Sequence, residues 1–326
     1  MQPNLSKNMI SRRYLRIKVM QAIYAHQANP DVDLYMGEKQ LEDSIRQCEV
    51  LSVYFYSIFP EIKHYIETKQ EDRKNKIFPT EEDLNPNTRF VDNRVIAQME
   101  ASEQLNRRWR ALKINWVENK ELIINLFNQI EALPEYQAYM SAPDCSYKAD
   151  KELILTILEK IFAESELLHW YFEEKFVHLF DDYNDALLQV YQGISFWKAS
   201  QEQVKMSPLY KDETEDVLFF KNLYKFTIKN DAEYESMIEA NLKNWESDRI
   251  IETDMILMKM AICELMEFPS IPTKVTINEY IEIARSYGSE KSGLFINGLV
   301  DKIARELREE GRLNKQGRGL LDRSLN

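Results

Sequence analysis

The stretch Pro272-Thr-Lys-Val-Thr-Ile-Asn-Glu-Tyr-Ile-Glu-Ile-Ala-Arg-Ser-Tyr-Gly288, followed by Ser292-Gly-Leu-Phe-Ile-Asn-Gly298, predicts two helices joined by a tight turn. In the first helix, apolar residues recur at helical spacing and form one stripe: Ile277, Tyr280, Ile281, Ala284 and Tyr287. Thr276 and Glu279 fit a capping box, in which each side chain accepts a backbone N–H at the start of the helix. Gly288 stands where a left-handed helix C-cap is expected.

The second predicted helix buries one arc and carries an aromatic residue at the edge of that arc. The buried arc consists of Ile296, Leu299, Val300, Ile303 and Leu307. Phe295 lies beside Lys291, Gly298 and Lys302 at helical spacing. A glycine inside a helix costs about 1 kcal/mol relative to alanine, so Gly298 indicates a close approach by another group. A ring between two lysines can stack on a base while the ammonium groups meet phosphates. The alternative is helix packing with a solvated lysine face.

Composition predicts an all-α protein. Of its 326 residues only 8 are glycine, and two of these precede residue 288, which leaves little of the turn chemistry that sheets need. No apolar run approaches the roughly 20 residues of a membrane span. With a polar N-terminus and three cysteines at no paired spacing, we expect a cytoplasmic protein with reduced thiols.

Charge is distributed unevenly along the chain. The net charge is −12, yet residues 1–30 contain five basic residues and no acidic one, so the remainder carries −17. A basic end on an acidic body indicates a local site for an anionic ligand and argues against indiscriminate binding of nucleic acid.

The basic residues near the N-terminus fall on a predicted helix that begins after Ser11, a suitable N-cap. Arg12, Arg13 and Arg16 gather on one arc, and Lys18 follows them. Positive charges in the first turns oppose the helix dipole. An anionic partner is one explanation for this placement, and an ordinary solvated helix start is the other.

Helical periodicity also extends through the middle of the chain. We predict helices in 38–68 (kinked or interrupted at Pro60), 94–116, 120–133, 150–180, 181–197, 236–245 and 250–268, with a further one opening at Thr214. Residues 69–93 are polar and rich in proline, so we predict a linker or exposed loop there. Residues 312–326 form a basic tail that is predicted to be disordered.

The sequence shows no phosphate-binding glycine loop, dinucleotide fingerprint or zinc-ligand spacing. Two Glu-x-x-His motifs, Glu61 to His64 and Glu166 to His169, are compatible with a di-iron carboxylate site of a helical bundle. Ordinary helix packing explains them as well, and we expect neither a cofactor nor a metal.

Two blocks at opposite ends of the chain resemble the NusB family of transcription antitermination proteins. The first is Arg12-Arg-Tyr-Leu-Arg16 with Gln21-Ala-Ile-Tyr24, and the second runs from Ile271-Pro through Phe295-Ile-Asn-Gly298 to Lys302. The resemblance covers residues 10–68 loosely and 213–304 well. It implies an all-α, NusB-like helical bundle with an inserted helical subdomain. Residues 1–68 and 208–311 would form one discontinuous RNA-binding domain, 69–207 a helical insertion of unknown role, and 312–326 the tail.

The resemblance also implies a function. The family's proteins are non-enzymatic, RNA-binding transcription antitermination factors. They hold boxA-type leader RNA of ribosomal RNA operons together with the small-subunit ribosomal protein NusE. They act in the transcription elongation complex and have no membrane partner. By matched position, and by proximity for Lys18 and Lys291, the predicted RNA-binding residues are Arg12, Arg13, Arg16, Lys18, Tyr24, Lys291, Phe295 and Lys302. Gln21 and Asn297 also match, but amides that satisfy backbone groups are an equal explanation for them.

Two departures from the family pattern weaken the expected electrostatic attraction: Tyr14 and Leu294 stand where members often carry basic residues. We expect the arginines and Phe295 to form one patch, and charge reversal at Arg13 and Arg16 to abolish RNA binding without lowering the melting temperature. Two other readings stay open. One is a protein–protein scaffold that works through the insertion. The other is an enzyme, either the di-iron protein or a ribosomal-RNA cytosine methyltransferase, whose cofactor loop and catalytic cysteine motif the sequence does not show.

Overall fold

The computed structural model describes residues 10–29, 31–143, 146–176, 179–242, 251–317 and 320, with the side chains of residues 179 and 180 excepted. Throughout these residues the regular elements are helical and no strand occurs, which confirms the predicted all-α class.

Fifteen α-helices occur in the described residues. They are α1 (Arg12–Ala28), α2 (Leu34–Lys74), α3 (Glu81–Leu84), α4 (Arg94–Ala101), α5 (Glu103–Leu112), α6 (Lys120–Glu131), α7 (Pro134–Ser141), α8 (Tyr147–Ile157), α9 (Glu166–Glu173), α10 (Leu179–Phe196), α11 (Glu213–Lys229), α12 (Asp231–Asn241), α13 (Glu252–Glu267), α14 (Thr273–Tyr287) and α15 (Ser292–Glu309). A short 3-10 turn (Val117–Asn119) precedes α6, and a π-helical turn (Leu158–Phe162) extends α8.

The long helix α2 differs from its prediction in length. It is continuous over 41 residues and contains Pro60, so of the two predicted effects of the proline, a kink or an interruption, the interruption does not occur. The predicted linker at 69–93 therefore starts later, and it contains the short helix α3. That helix has its own capping box, in which Thr80 and Asp83 accept each other's backbone N–H groups.

The described chain divides into two compact units. One comprises Ile10 and residues 46–211, and the other comprises residues 11–45 and 212–317 with residue 320. The predicted domain limits at 68 and 208 and the role of the insertion stay predictions.

Aromatic residues build the core of the unit formed by residues 46–211. The Phe55 ring lies 5.4 Å from that of Phe172 and 5.1 Å from that of Tyr183, both edge-on. Three tryptophans donate their indole N–H to acceptors inside this unit: Trp109 to Val53 O, Trp116 to Ser57 Oγ and Trp197 to Lys205 O. Buried indole groups of this kind both fill space and satisfy their one donor.

Helix α13 is the central helix of the other unit. Every residue from Ile256 to Leu265 is buried, as expected for a helix covered on all sides, and α1, α11, α12, α14 and α15 all pack against it. The buried Lys259 is held by Asp231 and Glu235, each at 2.8 Å. Cys263 is a free, buried thiol, and burial raises its pKa to about 12.

Two predictions about the ends of α14 are wrong. The helix begins at Thr273 with Pro272 as N-cap, and Thr276 donates its hydroxyl to Glu264 instead of capping. Gly288 is extended (φ −104°, ψ −167°) rather than left-handed. A Cβ at Gly288 would lie 2.5 Å from Ser292 Oγ, so the glycine permits a close approach of the next helix.

Part of the predicted tail packs within its own unit, that of residues 11–45 and 212–317. Lys315 Nζ donates to Phe268 O at 3.1 Å, and the N–H of Gln316 donates to Pro269 O at 2.9 Å. Residues 318, 319 and 321–326, for which disorder is also predicted, lie outside the described residues. Among the helices that the structure describes, none combines the length and apolarity that crossing a bilayer demands.

Candidate nucleic-acid interface

Helix α1 carries four of the eight predicted RNA-binding residues within its first seven positions. Ser11 is its N-cap as predicted, and its hydroxyl accepts the N–H of Tyr14 at 3.2 Å. The helix packs against α11, α13 and α14. Each of these helices brings at least one carboxylate to an arginine of α1, and these pairs decide how much positive charge reaches the surface.

Arg16 is buried in an ion pair with α13. Its guanidinium donates from Nε and Nη2 to the two oxygens of Glu264 at 2.8 and 2.7 Å, and the side chains are 2% and 0% exposed. Thr276 and Tyr280 donate their hydroxyls to the same carboxylate at 2.8 and 3.3 Å. Burial lowers the pKa of Arg16, but the attraction and hydrogen bonds of Glu264 outweigh it, so the net shift is upward. Arg16 is therefore a structural ion-pair residue in this conformation.

Arg13 makes a two-pronged pair with Glu279 of α14, at 2.9 and 3.0 Å. The hydrogen bonds that Arg13 donates to Glu279 raise the pKa of Arg13. Burial raises the pKa of Glu279, but the hydrogen bond and charge of Arg13 lower it by more than burial raises it. The net shift of the Glu279 pKa is downward. The Arg13 side chain is 43% exposed, so part of it stays accessible to solvent.

Arg12 is paired with the start of α11. It contacts Asp216 at 3.2 Å and Glu215 at 3.3 Å, and its guanidinium lies over the ring of Phe219 at 5.1 Å. Like Arg13, it keeps more than a third of its side chain exposed.

The remaining two residues of α1 differ in accessibility. Lys18 is buried, and its ammonium lies 5.3 Å from the centre of the Tyr14 ring. Tyr24 is exposed near the end of the helix. A buried lysine cannot reach an external phosphate without movement of the helix, whereas Tyr24 offers its ring to the surface.

The predicted residues of α15 are accessible. Lys291 and Lys302 are exposed, and Phe295 is half-buried. Asn297 and Leu294 are also exposed. A Cβ built on Gly298 would meet no atom within 4 Å, so no other part of the described chain requires a glycine at this position.

The start of α15 is anchored to two other helices. The Ser292 hydroxyl donates to Asp254 of α13 at 2.6 Å and accepts the N–H of Ser289 at 2.8 Å. Burial raises the pKa of Asp254, and the Ser292 hydrogen bond only partly opposes this. Gly293 lets α15 lie close to α14, because a Cβ there would be 3.2 Å from Arg285 Cγ. Helix α14 thus packs against both α1 and α15.

Sequence reasoning missed the carboxylates that hold these arginines: Glu215, Asp216, Glu264 and Glu279. One signal was available, because Glu264 interrupts the apolar pattern of α13 at a position that is otherwise buried. The structure also changes one expectation. Charge reversal at Arg16 would place two carboxylates together in the core, so we now expect it to destabilise the fold.

The two Glu-x-x-His motifs both lie in the unit of residues 46–211. The ring of His169 stacks on that of Tyr183 with 3.7 Å between centres, while His64 is exposed. Within the part of the chain that the structure describes, no group of three or more histidine, cysteine, aspartate or glutamate side chains is placed to hold a metal.

Comparisons with known proteins identify a family and several relatives. The sequence model of the NusB family matches residues 183–305, which include α11 to α14 and most of α15. The Transcription antitermination protein NusB of Salinibacter ruber is 44% identical over 103 residues, covering 32% of this chain and 64% of that protein. No solved structure was found to match.

Two further relatives are matched over more of their own length. The protein of the same name from Chloroherpeton thalassium is 33% identical over 141 residues, covering 42% of this chain and 67% of that protein. The one from Listeria monocytogenes is 38% identical over 98 residues, covering 30% of this chain and 75% of that protein. The chain is 38% identical to a relative over three quarters of that relative's length, and the family model matches residues 183–305, so the protein belongs to the NusB family.

Proposed function

We propose that this protein is a non-enzymatic, RNA-binding transcription antitermination factor. It binds boxA-type leader RNA of ribosomal RNA operons together with the ribosomal protein NusE, and it acts within the transcription elongation complex. Membership of the NusB family supports the proposal, as do relatives whose names describe transcription antitermination.

The observation that carries the proposal is the open face of α15. Phe295 is partly exposed between the exposed Lys291 and Lys302, and the space above Gly298 is empty of described atoms. A glycine lowers helix stability by about 1 kcal/mol relative to alanine. Since no packing within the described chain requires it, a ligand that approaches the helix backbone accounts for its presence. An unpaired base stacked on Phe295, with its phosphates near the lysines, fits this space.

In this proposal the residues of α1 have two different tasks. Arg12 and Arg13 keep more than a third of their side chains exposed. Each guanidinium can therefore bind a phosphate while it stays paired with its carboxylate, or can leave the carboxylate for the phosphate. Tyr24 adds an exposed ring. The buried Arg16 and Lys18 hold α1 in place, and Arg16 does so through Glu264.

The test is a fluorescence anisotropy titration of labelled leader RNA, with and without NusE. We expect Phe295→Ala, and separately Lys291→Ala with Lys302→Ala, to weaken binding about tenfold or more, because stacking is worth about 1–3 kcal/mol per base. Val275→Ala and Lys274→Ala, at exposed positions of α14, are the matched controls and should change the affinity little. Equal losses in the controls, or no loss in the α15 variants, would refute the assignment.

Salt dependence gives an independent measurement. The slope of log affinity against log salt reports the number of phosphates neutralised, at about −0.7 per contact for single strands. Four accessible cations (Arg12, Arg13, Lys291 and Lys302) predict a slope of roughly −3. A slope near zero would mean that these side chains do not meet phosphates.

A further inference from the structure

The unit of residues 46–211 exposes a tryptophan that its fold does not use. Trp170 on α9 is 69% exposed. Trp109, Trp116 and Trp197 donate their indole N–H within the unit, while no such bond is found for Trp170 among the described residues. An exposed indole offers both an apolar face and a free N–H donor, so Trp170 is a candidate contact for another molecule.

Trp170 lies where two concave sites meet. One has a volume of about 670 Å³ and the other about 530 Å³, and Trp170 and Leu167 line both of them. These volumes fall in the range of roughly 300–1,000 Å³ that is typical of binding clefts. We call the two sites together the Trp170 surface. The other residues that line it are Glu118, Asn119, Lys120, Glu121, Leu122, Asn125, Ala163, Glu164, Glu166, His169, Tyr171, Glu173 and Glu174.

Six carboxylates surround the tryptophan, against one lysine. None of the six has an ion-pair partner among the residues that the structure describes. Several acidic residues elsewhere in this unit do have such partners: Glu135 pairs with Lys160, Asp150 with Arg94, and Glu49 with Arg108. The local sequence has the same bias, because residues 159–185 contain eight acidic and two basic residues, a net charge of −6.

We propose that the Trp170 surface binds a lysine- or arginine-rich segment of another protein. An arginine guanidinium stacks on an indole face and pairs with carboxylates at the same time, and the surface offers both groups side by side. The negative charge of the Trp170 surface also disfavours RNA and anionic membranes as ligands, because it would repel their phosphates. Tryptophan is the residue most often found at the energetic centre of protein interfaces.

This proposal does not depend on the RNA-binding proposal. The Trp170 surface belongs to a different unit from Arg12, Phe295 and Lys302, and its residues precede the segment matched by the NusB family model. The role proposed for the predicted insertion is to bind a basic segment of another protein.

The test uses the full chain and a fluorescein-labelled peptide of alternating arginine and glycine. We expect Trp170→Ala, and separately the triple change Glu166→Gln, Glu173→Gln and Glu174→Gln, to weaken peptide binding about tenfold. Trp170→Phe keeps an aromatic face and should retain most of the affinity. A peptide with glutamate in place of arginine should not bind.

Two matched controls separate this surface from general charge attraction. Phe196→Ala removes another exposed aromatic side chain of the same unit, which is 78% exposed. Glu103→Gln, Glu152→Gln and Glu202→Gln remove the same charge at other exposed positions. Both controls should leave peptide affinity within about twofold of wild type. The proposal is overturned if the wild type does not bind the peptide, if the controls lose as much affinity, or if Trp170→Ala reduces binding of leader RNA and not of the peptide.

Discussion

The buried pair of Arg16 and Glu264 gives the sharpest prediction. Replacing Arg16 with Met keeps much of the side-chain volume but leaves the Glu264 carboxylate, which is 0% exposed, without its cation. Removing one partner of a buried ion pair costs about 3–5 kcal/mol. Thr276 and Tyr280 still donate to Glu264, so we expect the lower end of that range, about 3 kcal/mol.

The double variant Arg16→Met with Glu264→Gln separates charge from packing. It removes both charges and keeps an amide oxygen that accepts from Thr276 or Tyr280. A buried ion pair is worth little relative to a neutral replacement, so the double variant should recover most of the loss of the single one. The expected coupling between the two positions is about 2 kcal/mol.

Urea unfolding followed by far-ultraviolet circular dichroism measures these free energies. The two compact units can unfold separately, so the transition that responds to Arg16 must be fitted by itself. A single variant within about 1 kcal/mol of wild type would refute the reasoning, since surface ion pairs rarely contribute more than that. A double variant no more stable than the single one would show that the charges are not what couples these positions.

Three other predictions follow from local geometry. Gly298→Ala, in open space on α15, should raise the free energy of unfolding by about 0.5–1 kcal/mol while weakening RNA binding in the anisotropy assay. Gly37→Ala should destabilise by about 1–3 kcal/mol in urea, because its Cβ would clash with Tyr224 Oη, and Tyr224→Phe should partly rescue it. The lowered pKa of Glu279 means that its pair with Arg13 stabilises the fold above the ordinary carboxylate pKa and loses that contribution as pH falls through the lowered value. The stability difference between wild type and Glu279→Gln should therefore shrink in acid; a difference that grows would contradict the assignment.

Local sequence patterns predicted α1 and α14 because their signals lie within one or two turns, but the stretches predicted as single helices at 94–116 and 150–180 each contain more than one helix. Ser11 caps α1 as expected, and the apolar stripe of α14 is largely buried. The capping box at Thr276 failed for an equally physical reason. A buried carboxylate twelve positions earlier on α13 needed donors, and it took the hydroxyl that could otherwise have capped the helix.

The candidate site was less predictable than the fold. Sequence order showed a basic N-terminal segment, but the acids that pair with it come from three helices far along the chain. Periodicity placed Arg16 beside the buried arc without showing that it lies in the core. By contrast, Phe295 and Gly298 could be predicted as an accessible pair from their spacing on α15 alone.

The arginine pairs of α1 also constrain the order of events during synthesis. Arg12, Arg16 and Arg13 contact partners 204, 248 and 266 positions later in the chain. At about 5–20 residues per second, a ribosome takes roughly 10 to 50 seconds to deliver those partners. The unit of residues 46–211 is complete before any of them emerges. For that interval the three arginines of α1 lack the carboxylate partners that hold them in the folded protein.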